Sequence, residues 1–282
     1  MIHISSAEID RWILEDLPLH DETVRALQLP ATPGTLVYVP RQAGVLAGIA
    51  PCAALARALG LEAEALLADG SPMPVGAPVL RLRGPAPALH AAWRQGMNLL
   101  EHLCGLASAT AAMVQAARTG KPDVQVAATR KAFPGARRLQ QYAVLCGGGV
   151  VHRAGLSETI LVFAHHWTFL PELDLPAALQ RAKRSSPEKF VLVEVSSSEE
   201  AQQAASAGAD GVQLDKVEPA ELAALVPRLR AARESLVIVA AGGIRPDNAA
   251  SYAATGVDVL ATSSLFAAAP LDFAARMERC AN

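Results

Sequence analysis

The sequence predicts an α/β fold: a parallel sheet closed toward a barrel, preceded by a smaller α/β region. Three observations lead there. From residue 124 onward, strand-like and helical segments alternate in at least six βα units with tight connections, which implies an all-parallel sheet. Polar groups stand at the end of nearly every one of those strands. An open doubly wound sheet fits the alternation equally well, but strand ends arranged around one mouth favour the barrel. Third, the first 110 residues read differently, as short pieces punctuated by Pro30, Pro33, Pro40, Pro72, Pro74, Pro78, Pro85 and Pro87. With 282 residues, the chain is long enough for one large domain and a smaller one.

In chain order, residues 6–17 predict a short helix, and residues 36–39 and 45–49 short strands. Residues 51–67 have helical spacing of Leu and Ala, with Gly60 as a stop. Residues 79–82 predict another strand. Short strands among helices suggest a small α+β domain. Residues 88–117 predict a long helix with Trp93, Met97, Leu100, Leu103 and Cys104 on one face, a bridge into the second domain. The boundary is expected near 110, giving domains 1–110 and 111–282. Beyond it, residues 124–128, 160–163, 190–195, 211–214, 236–241 and 257–261 predict strands. Helices are expected at 135–145 and 175–183. Ser197-Ser198-Glu199-Glu200 has capping-box spacing for a helix to residue 207. Pro219 suits the first turn of the next helix, and Pro246 opens another, closed by Gly256.

Composition sets limits on function. The chain is 51% hydrophobic, with a formal net charge of −2. Its overall field does not attract nucleic acid or membrane. No apolar run approaches the ~20 residues that span a bilayer, and none near the start resembles a signal peptide. Cys52, Cys104, Cys146 and Cys280 are far apart with no CxxC, so neither a zinc site nor a disulfide framework is implied. A cytoplasmic protein binding small anionic substrates is the expectation.

Positive charge is concentrated locally instead. Residues 128–156, ATRKAFPGARRLQQYAVLCGGGVVHRAGL, carry Arg130, Lys131, Arg137, Arg138, His152 and Arg153. The cluster begins where a strand ends, the edge at which parallel α/β proteins bind ligands. Cations gathered near a core need anions, phosphates and carboxylates above all. A solvated basic face suits Arg137 and Arg138 in part. Gly147-Gly148-Gly149 allows backbone to approach an anion closely. Glu194 interrupts the apolar strand VLVEV, and Asp215 closes GADGVQLD. Two acids at neighbouring strand ends suit magnesium, which takes a few carboxylates plus substrate phosphates; internal salt bridges to the cations are the alternative. Gly242-Gly243 and Thr262-Ser263-Ser264, on consecutive late strands, suit a phosphate. His165 and His166, placed on a strand, would face opposite ways and read as structural, with His166 near the mouth. Cys146 reads as packing, with no base evident to activate it.

The segments WRQGMNLLEHLCGLAS, ATRKAFPG, QYAVLCGGGVVHRAGLSE, GADGVQLDK, AAGGI and YAATGVDVL resemble quinolinate phosphoribosyltransferases (nicotinate-nucleotide pyrophosphorylases, carboxylating), over almost the whole chain and in order. The similarity is greatest to a branch associated with molybdate transport genes. The resemblance implies a type II phosphoribosyltransferase: a small N-terminal α/β sandwich before an incomplete α/β barrel. It implies a pentosyltransferase that moves phosphoribose from phosphoribosyl pyrophosphate to an aromatic ring nitrogen. It implies a homodimer or higher oligomer in which Arg94 enters the partner's site. Arg130, His152 and Arg153 would hold the aromatic acid. Lys131, Glu194 and Asp215 would face phosphoribosyl pyrophosphate and its Mg²⁺. Gly242, Gly243 and Ser263 would bind the 5′-phosphate. The sequence departs from the family pattern where a substrate-contacting lysine and its neighbouring aspartate read Phe163 and Ala164. It departs again at Val151 and Val239. Losing one charge-assisted contact weakens dicarboxylate binding by roughly ten- to a hundredfold, so an altered ring substrate is expected. The alternatives are a true quinolinate phosphoribosyltransferase of NAD biosynthesis and a non-catalytic nucleotide or oxyanion binder. An aldolase is disfavoured, since no lysine sits inside a predicted strand to form a Schiff base.

Overall fold

The structure is a computed structural model and describes residues 2–170 and 173–280. The N-terminal elements are α1 (Ser6–Asp16), α2 (Glu22–Ala26), β1 (Pro33–Pro40), β2 (Gly44–Val45), α3 (Ile49–Ala58), β3 (Glu62–Ala65), β4 (Pro72–Met73), β5 (Leu80–Pro85) and α4 (Ala86–Gly120). There follow β6 (Gln125–Ala128), α5 (Arg137–Cys146), β7 (Val150–Val151), β8 (Ile160–Val162), α6 (Ala164–Trp167), α7 (Leu175–Ser185), β9 (Val191–Val195) and α8 (Ser198–Ser206). The chain continues through β10 (Gly211–Asp215), α9 (Pro219–Ala232), β11 (Val237–Ala241), α10 (Ala249–Ala253), β12 (Val259–Thr262), a 3₁₀ turn (Ser264–Ala267) and β13 (Phe273–Arg279).

Two compact units divide these elements. The first comprises the residues up to Ala109, Arg138–Gly148 and those from Ala268 on; the second comprises Thr110–Arg137 and Gly149–Ala267. The first unit therefore gathers three separate stretches of the chain. The reason is hydrogen bonding: β13 pairs antiparallel with β1, Gly34 opposite Arg279 through Pro40 opposite Phe273. The closing strand fills an edge of the N-terminal sheet, whose order is β13-β1-β5-β3.

Within the first unit, two expectations are corrected. The strand over 45–49 reduces to Gly44–Val45, because Gly48 turns the chain at φ +113° and α3 begins at Ile49. The helical spacing over 51–67 yields a helix only to Ala58, just before the expected stop at Gly60 (φ +79°), and Glu62–Ala65 beyond it is a strand. EAEA has helical propensity, but pairing decides the outcome. Glu64 stands opposite Arg81 and accepts from its Nη1 at 2.8 Å. Ala63, opposite Leu82, packs against the core on the other face. Asp69 accepts from the amides of Ile49 (3.0 Å) and Ala50 (3.2 Å), supplying the cap that Gly48 lacks, and Tyr142 of α5 donates to it at 2.7 Å.

The second unit is a seven-stranded sheet of order β7-β6-β12-β11-β10-β9-β8. Every neighbouring pair is parallel. The strands follow sequence order around a ring, and the last, β12, lies beside the first, β6. Among the described residues β7 and β8 do not pair, so the ring is open there: an incomplete barrel. The inward face follows from register. Leu161 pairs with Leu192, Glu194 with Gln213, Gln213 with Val239, and Asp215 with Ala241. The Leu161, Leu192, Val239, Ala241 and Ala261 side chains form one apolar cluster with Phe163 packed on it. The same alternation places Glu194, Gln213 and Asp215 on that inward face.

Helix starts agree with the sequence where capping chemistry is local. Ser197 Oγ accepts from Glu200 N, while the Glu200 carboxylate reaches one residue further out, accepting from Ser196 N at 2.7 Å. Pro219 stands in the first turn of α9. Pro246 does not open a helix. It lies in a turn stitched by Asn248, whose Oδ1 accepts from Arg245 N (2.8 Å) and whose Nδ2 donates to Gly243 O (3.1 Å); α10 starts at Ala249.

Asp210, before β10, ties three elements of the second unit together. It accepts from Lys183 Nζ at 2.7 Å, from Val191 N at 2.9 Å and from Arg233 Nη2 at 3.4 Å. Burial alone would raise its pKa, but these donors outweigh burial and hold it below the ordinary value. A depressed folded pKa stabilises above the unfolded pKa, and that stability is lost as pH falls through the folded value. Asp210→Ala is expected to destabilise the protein by about 1–3 kcal/mol at neutral pH. In thermal melts the gap between variant and parent should close as pH drops below the ordinary carboxylate range.

Candidate active site

At the carboxyl ends of the barrel strands lies a cavity of about 670 Å³. Most of the residues that line it stand at or just beyond a strand end, with Leu161 and Gln213 deeper in their strands. Ladder bonds continue past β6 and β7, with Thr129 N donating to Thr262 O and His152 N to Ala128 O, both at 3.0 Å. Those bonds deliver Arg130 and Lys131 after β6, and His152 and Arg153 after β7, to the same mouth. Phe163 follows β8, Glu194 lies in β9, Asp215 ends β10, Gly242 and Gly243 follow β11, and Ser263 follows β12; all of them line this cavity. Of the expected site residues, Arg94 alone is absent from the lining. It is exposed on α4, its guanidinium carbon 5.6 Å from the Trp93 ring centroid.

Arg153 is buried, at 7% exposure. Among the described residues, Arg130, Lys131 and Arg153 form no ion pair. Burial, and then the neighbouring Arg130 charge, lower the pKa of Arg153. Two guanidiniums that line one cavity, neither paired with a carboxylate among the described residues, are an anion site in waiting. Burial likewise lowers His152, with Arg153 adding to the effect and Gln213 opposing it, which favours the neutral imidazole. The Arg153 guanidinium carbon lies 5.9 Å from the Phe163 ring centroid.

The acids do not neutralise these cations, so the internal salt-bridge alternative does not hold. Among the described residues Asp215 pairs only with its neighbour Lys216, at 3.8 Å. Glu194 has no ion pair among the described residues and instead accepts from Gln213 Nε2 at 2.6 Å. Burial raises the pKa of Glu194; the Gln213 hydrogen bond lowers it, Asp215 raises it, and His165 and Lys131 lower it.

The late strand ends form a pinned cradle. Gly242 and Gly243 have φ of +85° and +73°, which glycine adopts without strain. Thr262 Oγ1 donates to Ile244 O at 2.8 Å and lies 2.9 Å from Ser264 Oγ, binding the β11 turn to the β12 end.

Sequence reasoning missed Gln213, Thr129, Lys216 and Arg245 as lining residues. Gln213 carried a usable signal, since it sits two residues before Asp215 in a strand of alternating faces. Arg245 carried none, because turn geometry alone brings it round. His165 and His166 are on the short helix α6, not on a strand. His166 Nδ1 accepts from Phe163 N at 2.9 Å, and its ring stacks on Phe163 at 15° and 5.9 Å. Cys146 is pushed up to about 11, by burial first, which agrees with a packing role. Arg138 points elsewhere, pairing with Glu8 at 3.5 Å.

An incomplete parallel barrel whose mouth gathers two acids, a glycine cradle and cations unpaired among the described residues has the chemistry to hold a small polyanion. Comparison with known proteins narrows this. Residues 21–104 match the quinolinate phosphoribosyl transferase N-terminal domain and residues 106–276 its C-terminal domain. The chain belongs to the quinolinate phosphoribosyltransferase family, a family of pentosyltransferases. It is 36% identical over 286 residues to a protein of Escherichia coli O6:H1 that carries the name pyrophosphorylase ModD, covering 100% of both chains. It is 36% identical over 275 residues to the human nicotinate-nucleotide pyrophosphorylase [carboxylating], covering 96% of this chain and 91% of that one. The crystal structure of NadC from Streptococcus pyogenes superposes with a TM-score of 0.90 at 27% identity, covering 100% of both chains. The two family models meet between residues 104 and 106, and the compact units differ from that division at α5 and β13. Among the described residues no helix is long and apolar enough to cross a membrane.

Proposed function

We infer that this chain transfers the phosphoribosyl group of phosphoribosyl pyrophosphate to the ring nitrogen of an aromatic acid, releasing pyrophosphate. The observation that carries this is the convergence of Lys131, Glu194, Asp215, Gly242, Gly243, Ser263, Arg130 and Arg153 on one cavity. The human relative's name, a nicotinate-nucleotide pyrophosphorylase, supports the same reaction class.

The residues take distinct parts. Gly242, Gly243 and Ser263 hold the 5′-phosphate. Arg130, His152 and Arg153 orient the acceptor, a contribution of positioning. As the anomeric carbon–oxygen bond breaks, its electron pair leaves on pyrophosphate, and Lys131 stabilises the growing negative charge. Glu194, on the inward face, stabilises the oxocarbenium-like sugar. The lone pair of the ring nitrogen then completes the carbon–nitrogen bond.

Magnesium fits as a companion of the diphosphate rather than as a resident ion. Among the described residues no group of three or more His, Cys, Asp or Glu could hold a metal. Asp215 and Glu194 offer two carboxylates, the number magnesium uses when substrate phosphates complete its shell. When bound, it would supply charge neutralisation of the leaving group.

A homodimer, or a higher oligomer, gives exposed Arg94 a place, in the partner's cavity. A cytoplasmic location and an association with molybdate handling follow the branch resemblance. Quinolinate itself is not the expected acceptor. Purified protein given quinolinate and phosphoribosyl pyrophosphate should release pyrophosphate poorly, while another ring acid in a pyridine panel supports turnover. Ordinary enzymatic efficiency on quinolinate would overturn the altered substrate. No release with any ring acid, phosphoribosyl pyrophosphate and Mg²⁺ would overturn the reaction class.

A further inference from the structure

We propose that the acceptor this cavity is built for is a planar heteroaromatic ring bearing a single carboxylate, gripped by Arg130 and Arg153, with an uncharged edge against Phe163 and Leu161. The inference rests on the phosphoribosyl-transfer reading and names its acceptor.

The argument is one of charge inventory by position. Arg130 and Arg153 stand beyond the neighbouring strands β6 and β7 and line one cavity, and among the described residues neither is paired with an acid. One carboxylate relieves both, and a guanidinium is shaped to take it bidentately. Beside Arg153 the wall turns apolar. Phe163 neighbours both the Arg153 guanidinium and the His166 ring, with centroid distances of 5.9 Å to each. Leu161 lies deeper on the same inward face. The hydrogen bond from Phe163 N to His166 Nδ1 fixes the start of α6 and so the aromatic wall. A second carboxylate against Phe163 and Leu161 would lose water and gain no donor from that wall. A hydrocarbon edge would instead be packed. The remaining cavity cations, Lys131, Lys216 and Arg245, belong to loops after β6, β10 and β11. Two of those loops carry or adjoin the glycine cradle, so their charge is committed to phosphates.

The reaction balances with such a ring. The nitrogen lone pair forms the bond to the anomeric carbon as the bond to pyrophosphate breaks. The electron pair of the broken carbon–oxygen bond departs on pyrophosphate, and the new positive charge stays on the ring nitrogen, where the ring's own carboxylate offsets it.

The test measures kcat/KM for pyrophosphate release with pyridine-3-carboxylate and with pyridine-2,3-dicarboxylate, using full-length protein, phosphoribosyl pyrophosphate and Mg²⁺. The parent protein should prefer the monocarboxylate by about ten- to a hundredfold. Phe163→Lys, which adds the missing cation, should shift that ratio toward the dicarboxylate by a similar factor. Phe163→Leu, which keeps the wall apolar, should retain the parent's preference and guards against a variant that merely misfolds. A parent that uses the dicarboxylate as well as the monocarboxylate, or a ratio unmoved in Phe163→Lys, overturns this inference and leaves phosphoribosyl transfer standing. Turnover of neither acid, with turnover of some other ring acid carrying two or more carboxylates, overturns it too. Silence across every ring acid marks the failure of the transfer reading itself.

Discussion

Lys131→Ala should lower kcat by about 10²- to 10³-fold, the usual loss when one preorganised charge aimed at a developing anion is removed. Lys131 stands beyond β6 with no ion pair among the described residues. Its charge is therefore free to meet the leaving pyrophosphate. Asp215→Ala should fall by a comparable factor, since Asp215 is the inward acid least engaged by the protein, with only Lys216 at 3.8 Å. Arg138→Ala provides the contrast. It lies in the same cationic stretch of sequence, yet it pairs with Glu8 and lines no part of the cavity. Its turnover should stay within about twofold, as for a surface substitution away from special features. Pyrophosphate release at saturating substrates measures all three, and equal losses would overturn the assignments.

The second large effect is expected at Gly242. Its φ of +85° already disfavours any side chain. An added Cβ would stand 2.5 Å from Lys216 Cγ, 2.6 Å from Asp215 Oδ1 and 2.8 Å from Lys216 N. Lys216 Cγ can swing away, but its backbone nitrogen cannot. Gly242→Ala therefore combines left-handed strain of about 1–3 kcal/mol with displacement of the β10 end. The KM for phosphoribosyl pyrophosphate should rise at least about tenfold, and the melting temperature should fall by several degrees. Gly243→Ala separates strain from contact. Its φ is +73°, but its Cβ would meet nothing within 4 Å. It should lose less stability than Gly242→Ala. If the two variants behave alike, close approach of the β10 and β11 turns is not what the glycine serves.

Much of this could be read along the chain. The strands of the barrel announce themselves as apolar runs, and Glu194 and Asp215 stand out because a carboxylate beside buried valines and leucines needs a purpose. Arg130 and Lys131 were legible for the same reason, immediately after an apolar strand. Gln213 was harder, because an amide inside a strand looks like an exposed face until the neighbouring strands show which side is inward. Glu62–Ala65 misled for a related reason: its alternation of acid and alanine acquires meaning only when Arg81 and Arg83 are placed across from it. β13 was invisible, since its partner lies more than two hundred residues earlier.

What the sequence determined alone is whatever local chemistry decides: the alternation of the barrel's longer strands and helices, the caps at Ser197 and Pro219, the cationic stretch and the embedded acids. Pairing across distance was left to the tertiary structure. It decided that β12 closes on β6 while, among the described residues, β7 and β8 do not pair, that β13 completes the N-terminal sheet, and that both His166 and Arg153 come to lie against Phe163. The physical reason is that hydrogen-bond register and side-chain facing depend on which backbone lies alongside, and no residue carries that information about its neighbour in space.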